Sequence, residues 1–309
     1  MITIYKTGEQ GLEVLDEITK GCWINVVDPT PEELARLREL PVPLEFITYP
    51  LDLDERPRVE REDGETMILL RVPFYQGPHA DVPFTSIPMG IVMDGQWIMT
   101  VCRHDHDLLR ELAAGKVRGL STAKRNRFIL QVLLAAASKY LLYLREINRT
   151  VDHLEDQLQM SMQNRELLGL LKYQKSLVYF TTALKANELM MERLHRSGFF
   201  RTYPDDEDLL EDVITENQQA IEMTNIASNV LSAMMDAFAS IISNNVNAVM
   251  KFLAAATIVI ALPTLVASIF GMNVPLPFQN EWWTPLLILA LAIALSAVVT
   301  RLFVKRGWF

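Results

Sequence analysis

The chain of 309 residues has only two cysteines, Cys22 and Cys102. Each stands alone in an apolar, strand-like run without metal-ligand spacing, which predicts buried, reduced thiols rather than a disulfide framework or a zinc site. Basic residues are in deficit. Twenty-nine Lys and Arg against 38 Asp and Glu give a net charge of -9, which argues against nucleic-acid binding. No Walker-type loop, nucleophile elbow or catalytic dyad is visible, so neither an ATP-driven pump nor an enzyme is expected. The stretch Met1-Ile2-Thr3-Ile4-Tyr5-Lys6 lacks the basic and apolar regions of a signal peptide, and the large N-terminal portion is expected to stay in the cytosol. Two further absences carry more. No glycine occurs between Asp206 and Phe270, and no charge occurs from Phe252 to Phe270 or from Thr284 to Thr300.

Half of the residues are hydrophobic although 22% are charged. The acidic excess sits before residue 245, so a charged soluble portion and a separate apolar one are expected. Residues 1–120 read as a cytosolic α/β domain of the α+β class. Cys22 to Val27 is strand-like. Thr30-Pro31-Glu32-Glu33 starts a helix, with Thr30 as N-cap, Pro31 at the first position and Glu33 completing a capping box. Asp63-Gly64 and Asp94-Gly95, each flanked by β-rich runs, signal two hairpins. A largely antiparallel or mixed sheet follows.

From Ser121 the pattern turns helical, and residues 121–204 form a cytosolic helical region. Phe128 to Arg149 and Leu167 to His195 carry apolar residues at helical spacing, and Arg196-Ser197-Gly198 breaks the pattern. From Asp206 to Phe270 the only proline is Pro263. A continuous helix there would span on the order of 95 Å and would have to project, with residues 205–251 as a stalk. Its apolar seam, Leu210, Val213, Ala220, Ala227, Leu231, Met234, Phe238 and Ile241, is interrupted by Asn217, Thr224 and Asn245. Such a seam suits packing against copies of itself in an oligomer or packing within its own subunit. Periodicity leaves both open.

The two uncharged runs predict transmembrane helices over 252–271 and 284–304, each near the ~20 residues that cross a bilayer. Lys251 precedes the first; Arg301, Lys305 and Arg306 follow the second, and residues 305–309 form a basic tail. The loop 272–283 holds Glu281 as its only charge. By the positive-inside rule both termini are cytoplasmic, in the cell membrane, and the loop is outside. Trp282, Trp283 and Trp308 stand where interfacial aromatics belong. Two helices cannot enclose an aqueous path, so transport requires several subunits around an axis.

One face of the first membrane helix carries Asn247, Met250, Ala254, Thr257, Ala261, Thr264, Ser268 and Gly271. The other faces hold bulky apolar residues. Small residues and hydroxyls in lipid face other helices or water, so this stripe is expected to face the symmetry axis. It has no ionisable group, which suggests an ion that keeps its water, and Mg²⁺ dehydrates reluctantly. Asn273 amide oxygens from several subunits would accept hydrogen bonds from the hydrated ion, and Asn247 would do so at the inner end. The plainer reading of Gly271-Met272-Asn273 is a glycine ending a helix, then a turn before Pro275.

Here the sequence resembles the CorA family of magnesium transporters. Phe270-Gly271-Met272-Asn273-Val274-Pro275 carries the resemblance. Asn247-Ala248-Val249-Met250-Lys251 and Lys305-Arg306-Gly307-Trp308-Phe309 join it, with Asn187 and Lys175 to Phe180 further upstream. The resemblance implies a homopentameric funnel, a cytosolic domain and a long stalk helix continuing into the pore. It implies Gly271, Met272 and Asn273 as selectivity filter, Met250 and Leu253 as an apolar constriction, and Asn247 and Thr264 as polar rings. It also implies gating by cytosolic Mg²⁺ held between subunits by carboxylates, with Asp236 as one regulatory ligand. Two departures stand out: Glu281 is alone in the outer loop, and Ala261 replaces a larger apolar residue.

The expected function is passive Mg²⁺ uptake driven by the membrane potential, with no organic cofactor. Two alternatives stand beside it. One is a Zn²⁺, Co²⁺ or Ni²⁺ transporter of the same fold, perhaps proton-coupled, against which Met272 counts. The other is a membrane-anchored scaffold or sensor, which would need no polar stripe. His104-Asp105-His106-Asp107 looks like a metal cluster but reads better as the cap of a helix starting near Leu108.

Overall fold

Local chemistry sets several element ends in the structure, a computed structural model that describes the chain except residues 10, 118, 162–163, 201–203, 273–280 and 309. At the start of α1 (Pro31–Leu37) the Glu33 amide donates to Thr30 Oγ1 at 3.2 Å, and the Thr30 amide donates to Glu33 Oε2 at 2.9 Å. This is the expected capping box. Asp63 and Gly64, at φ 50° and 97°, make the two-residue turn joining β4 (Arg58–Glu62) to β5 (Glu65–Tyr75). A loop closed by the Asp94 amide on the Trp97 carbonyl joins β6 (Phe84–Met93) to β7 (Ile98–Cys102).

The chain divides into two units, Met1–Ala233 and Met234–Phe309. The first is built on a seven-stranded mixed sheet. With β1 (Ile2–Gly8), β2 (Gly11–Leu15) and β3 (Trp23–Val27), the order is β2-β1-β3-β7-β6-β5-β4. Only β3 and β7 pair in parallel; the other neighbours are antiparallel. One face packs Ile24, Val26, Met99 and Val101 against Leu37 of α1 and Phe46 and Ile47 of α2 (Leu44–Thr48). Gly90 in β6 admits the Pro50 ring beside it, where a Cβ would collide. The opposite face packs Trp23, Ile98 and Cys102 against α3 (Asp107–Ala113), α4 (Arg125–Ser161), α5 (Asn164–Arg196) and the first turns of α6 (Pro204–Phe270). Both cysteines are buried and free.

Two helical expectations change in detail. The helix after the His-Asp run has His106 at its N-cap, with no side-chain cap bond. Asp107 sits in its first turn, and among the described residues no group of three His, Cys, Asp or Glu could hold a metal. The seam of α6 is buried within its own subunit from Leu210 through Val213, Asn217, Ala220, Thr224 and Leu231, whereas Ile241 is exposed. Its polar members are accommodated there: Asn217 Nδ2 donates to the Leu184 carbonyl of α5 at 3.2 Å, and Thr224 Oγ1 to the Ala220 carbonyl. Finally, α4 is itself long and apolar enough to cross a membrane. However, 72% of its apolar window is buried inside the fold, against 11% for α6 and 6% for α7 (Thr284–Lys305). Its apolar residues fill a protein core.

The second unit holds the remainder of α6 and α7. Both helices expose most of their apolar side chains, as lipid-facing helices do. Each withdraws one narrow stripe: Ala255 and Val266 on α6, Thr284 and Ala292 on α7. Past the end of α7 the Trp308 amide donates to the Phe303 carbonyl and the Gly307 amide to that of Val304, with Gly307 at φ 70°. This left-handed glycine cap stacks Trp308 on Phe303 at 5.1 Å.

Candidate functional site

The candidate ion path belongs to α6, which runs unbroken through Pro263 to Phe270. Successive helix residues are about 100° apart. Ala255 and Val266, with the half-buried Val259 and Leu262 between them, mark the side α6 turns to its neighbour in the unit. Thr257, Ala261, Thr264 and Ser268 recur about 180° from that seam. They are exposed and together line one shallow hollow on the helix. So the small and polar residues are not the packing surface of the hairpin. Met250 and Leu253, each 58% exposed, and the exposed Asn247 and Ala254 continue the same side toward the start of the uncharged run.

Thr257 Oγ1 donates to the Leu253 carbonyl at 2.8 Å. With its hydrogen committed, the hydroxyl presents only lone pairs outward. Such a group accepts from the water shell of a cation and offers nothing to an anion. No Asp, Glu, Lys or Arg interrupts the stripe between Lys251 and Met272.

The signature itself is divided. The Gly271 amide donates to the Ala267 carbonyl at 2.9 Å and the Met272 amide to that of Ile269 at 3.4 Å, ending the helix. Gly271 is not among the glycines at positive φ, so it ends the helix without the left-handed cap that the plainer reading of the tripeptide would give. A Cβ on it would lie 3.2 Å from the Ala267 carbonyl oxygen. Asn273 lies outside the described residues, as do 274–280. Asp236 is exposed on α6.

A profile of CorA-like Mg²⁺ transporter proteins matches residues 19–306. The chain belongs to the CorA family. The cobalt/magnesium transport protein CorA of Methanocaldococcus jannaschii is 27% identical over 326 residues, covering 100% of both chains. The complete structure of CorA magnesium transporter from that organism superimposes with a TM-score of 0.87 at 25% identity, over 100% of this chain and 99% of that one. The cobalt/magnesium transport protein CorA of Thermotoga maritima is 22% identical over 93% of this chain and 83% of its own. The CorA fold therefore accounts for both units, the soluble α/β unit and the long helices. A family of magnesium transporters also accounts for the apolar helices, which a scaffold reading leaves without their polar stripe.

Two polar residues of the soluble unit were not singled out in the sequence for their structural roles. Asn187 of α5, buried, bonds both backbone groups of Arg71 in β5. Asn25 lies inside an otherwise apolar strand, Trp23–Val27, and that pattern alone could have flagged it.

Proposed function

We propose that this protein is a passive Mg²⁺ channel, assembled as a homopentamer in the cell membrane with both termini in the cytoplasm. The observation that carries the reading is the uncharged, hydroxyl-bearing stripe on the side of α6 opposite its packing seam. Five such stripes around an axis would line a path with oxygen acceptors and no fixed charge. A bare cation would find too few ligands there, whereas a hydrated one brings its own. In this arrangement Asn273, with Gly271 and Met272, selects the hydrated ion at the mouth. Thr264, Ser268 and Thr257 hand its waters inward past the small Ala261. Met250 and Leu253 form the apolar constriction that empties of water when narrow, and Asn247 receives the ion below it.

The driving force is the membrane potential: a divalent ion gains roughly 4.6 kcal/mol at about 100 mV, so no nucleotide is required. Cytosolic Mg²⁺ closes the channel by binding between subunits, with Asp236 as one ligand. Co²⁺ is a second cargo, in keeping with the cobalt/magnesium naming of the archaeal and Thermotoga relatives. Reconstitution in liposomes with a Mg²⁺-sensitive dye tests the reading. Potential-driven Mg²⁺ entry is expected, and Asn273→Ala is expected to reduce its preference over Co²⁺ and its rate. Entry absent, or identical in the variant, overturns it.

A further inference from the structure

The soluble unit carries a concave site that ion conduction does not use. β3 and β7 are the one parallel pair of the sheet, and the chain leaves their C-terminal ends toward opposite faces. From β3 it passes to α1, whose Leu37 packs with Ile24 and Val26. From β7 it passes to α3, whose Leu108, Leu109 and Leu112 pack on the other face with Trp23 and Ile98. Loops that diverge from adjacent parallel strands leave a crevice between them, which is where open α/β sheets bind ligands. A cavity of about 480 Å³ lies at this point, bordered by Asn25, by the apolar side chains of Tyr5, Val27 and Leu109, and by the loop residues Asp28 and Arg103. Its volume falls within the range of small-molecule sites.

The polar groups show which chemistry it accepts. Asn25 is 7% exposed in a strand of otherwise apolar residues. Trp23 Nε1, which can only donate, gives its hydrogen to Thr100 Oγ1 at 2.8 Å, and Thr100 Oγ1 donates in turn to Asn25 Oδ1 at 3.0 Å. This relay fixes the carboxamide. Its NH₂ has no partner among the described residues, and Asn25 lines the cavity. At the rim, Arg103 Nε stands 3.6 Å from Asp28 Oδ1, with both side chains more than half exposed. Asp105, also at the rim, is bound more tightly by Arg110 at 2.9 Å. The rim is therefore close to neutral, and Arg103 is the loosely held cation, able to turn inward. Asp28 is one of two non-glycine residues at positive φ among the described residues, at 42°, a conformation that recurs at ligand-binding turns.

We propose that this crevice binds a small organic anion, a carboxylate or phosphate on a compact apolar body, through the Asn25 carboxamide NH₂ and the Arg103 guanidinium. The apolar body lies along Tyr5, Val27 and Leu109. The site stands on the soluble unit alone and is independent of the ion-path reading.

The test uses the purified full-length protein in detergent, with benzoate and phenyl phosphate as probes and benzyl alcohol as the neutral counterpart, followed by calorimetric titration. At least one anion is expected to bind, and its rank against the other tells carboxylate from phosphate. Arg103→Gln and Asn25→Leu are each expected to weaken binding roughly tenfold or more, as loss of one charge-assisted or buried hydrogen bond does. If neither anion binds, if benzyl alcohol binds equally well, or if Arg103→Gln leaves affinity unchanged, the proposal is overturned. Arg103 is half exposed and its replacement leaves the core intact, so that variant decides the matter even where Asn25→Leu fails to fold.

Discussion

Replacing Asn187 should destabilise the soluble unit markedly, because this residue completes a strand that runs past its partner. β4 begins with Arg58 opposite Leu69, so Arg71, two residues on, has no neighbour on that side. The carboxamide of Asn187 substitutes for the missing strand: the Arg71 amide donates to Oδ1 at 2.9 Å, and Nδ2 donates to the Arg71 carbonyl at 2.8 Å. Tyr140 Oη gives that carbonyl a second bond at 3.1 Å. Asn187→Ala therefore orphans one partly buried N–H, at about 1–3 kcal/mol, and removes one of two bonds to the carbonyl, at about 1 kcal/mol. The sum of about 2–4 kcal/mol corresponds to a fall in Tm of roughly 4–16 °C for a unit of this size. Tyr140→Phe removes only the shared bond and should cost about 1 kcal/mol. Thermal unfolding of the full chain in detergent, followed by tryptophan fluorescence, measures both. A shift for Asn187→Ala no larger than that for Tyr140→Phe would refute the strand-substitution argument.

His106 is buried with neither ring nitrogen hydrogen-bonded among the described residues, and desolvation depresses its pKa to about 4, with Asp105 and Asp107 pulling up and Arg110 and Lys139 pulling down. The unfolded chain therefore takes this proton first, so stability falls as pH drops from about 6.5 to about 4, by up to about 3 kcal/mol. His106→Phe should be close to neutral at pH 7 and should flatten that acid limb; unfolding curves for the two proteins that stay parallel from pH 7 to pH 4.5 would sink the idea. On the ion path, Thr264→Val removes the hydroxyl at nearly constant volume and should lower Mg²⁺ entry into liposomes several-fold or more, since each lost bond to a water of the ion is worth about 0.5–1.5 kcal/mol in every subunit. Ile258→Val, off the stripe, should leave the rate unchanged, and equal effects from the two would remove the stripe from the path.

What could be read from the sequence follows the range of the physics involved. The capping box at Thr30 and the Asp63-Gly64 turn involve residues two or three apart, so local composition sufficed for both. The membrane helices were legible because a charge in lipid is expensive enough to be kept out of whole segments. That rule states what lipid excludes and says little about what a protein core excludes, so α4 meets it equally well and only its burial separates it from α6 and α7. The seam of α6 left two readings open for a related reason: a heptad-like pattern records that a face is covered and does not record by which chain. Burial from Leu210 to Leu231 assigns that part of it to the same subunit. The stripe at Thr257, Ala261, Thr264 and Ser268 gains its meaning the same way, since small residues could equally have been the covered side of the helix until Ala255 and Val266 were found buried on the opposite side. Asn187 and Asn25 lay beyond such reasoning, because their partners at Arg71 and Thr100 are distant in sequence. Yet a polar residue inside an apolar strand incurs a desolvation cost that some remote group must offset. Asn25 has its oxygen bonded by Thr100 and its NH₂ turned to the solvent-open crevice that it lines, and it is this free donor, rather than any motif, that directs attention there.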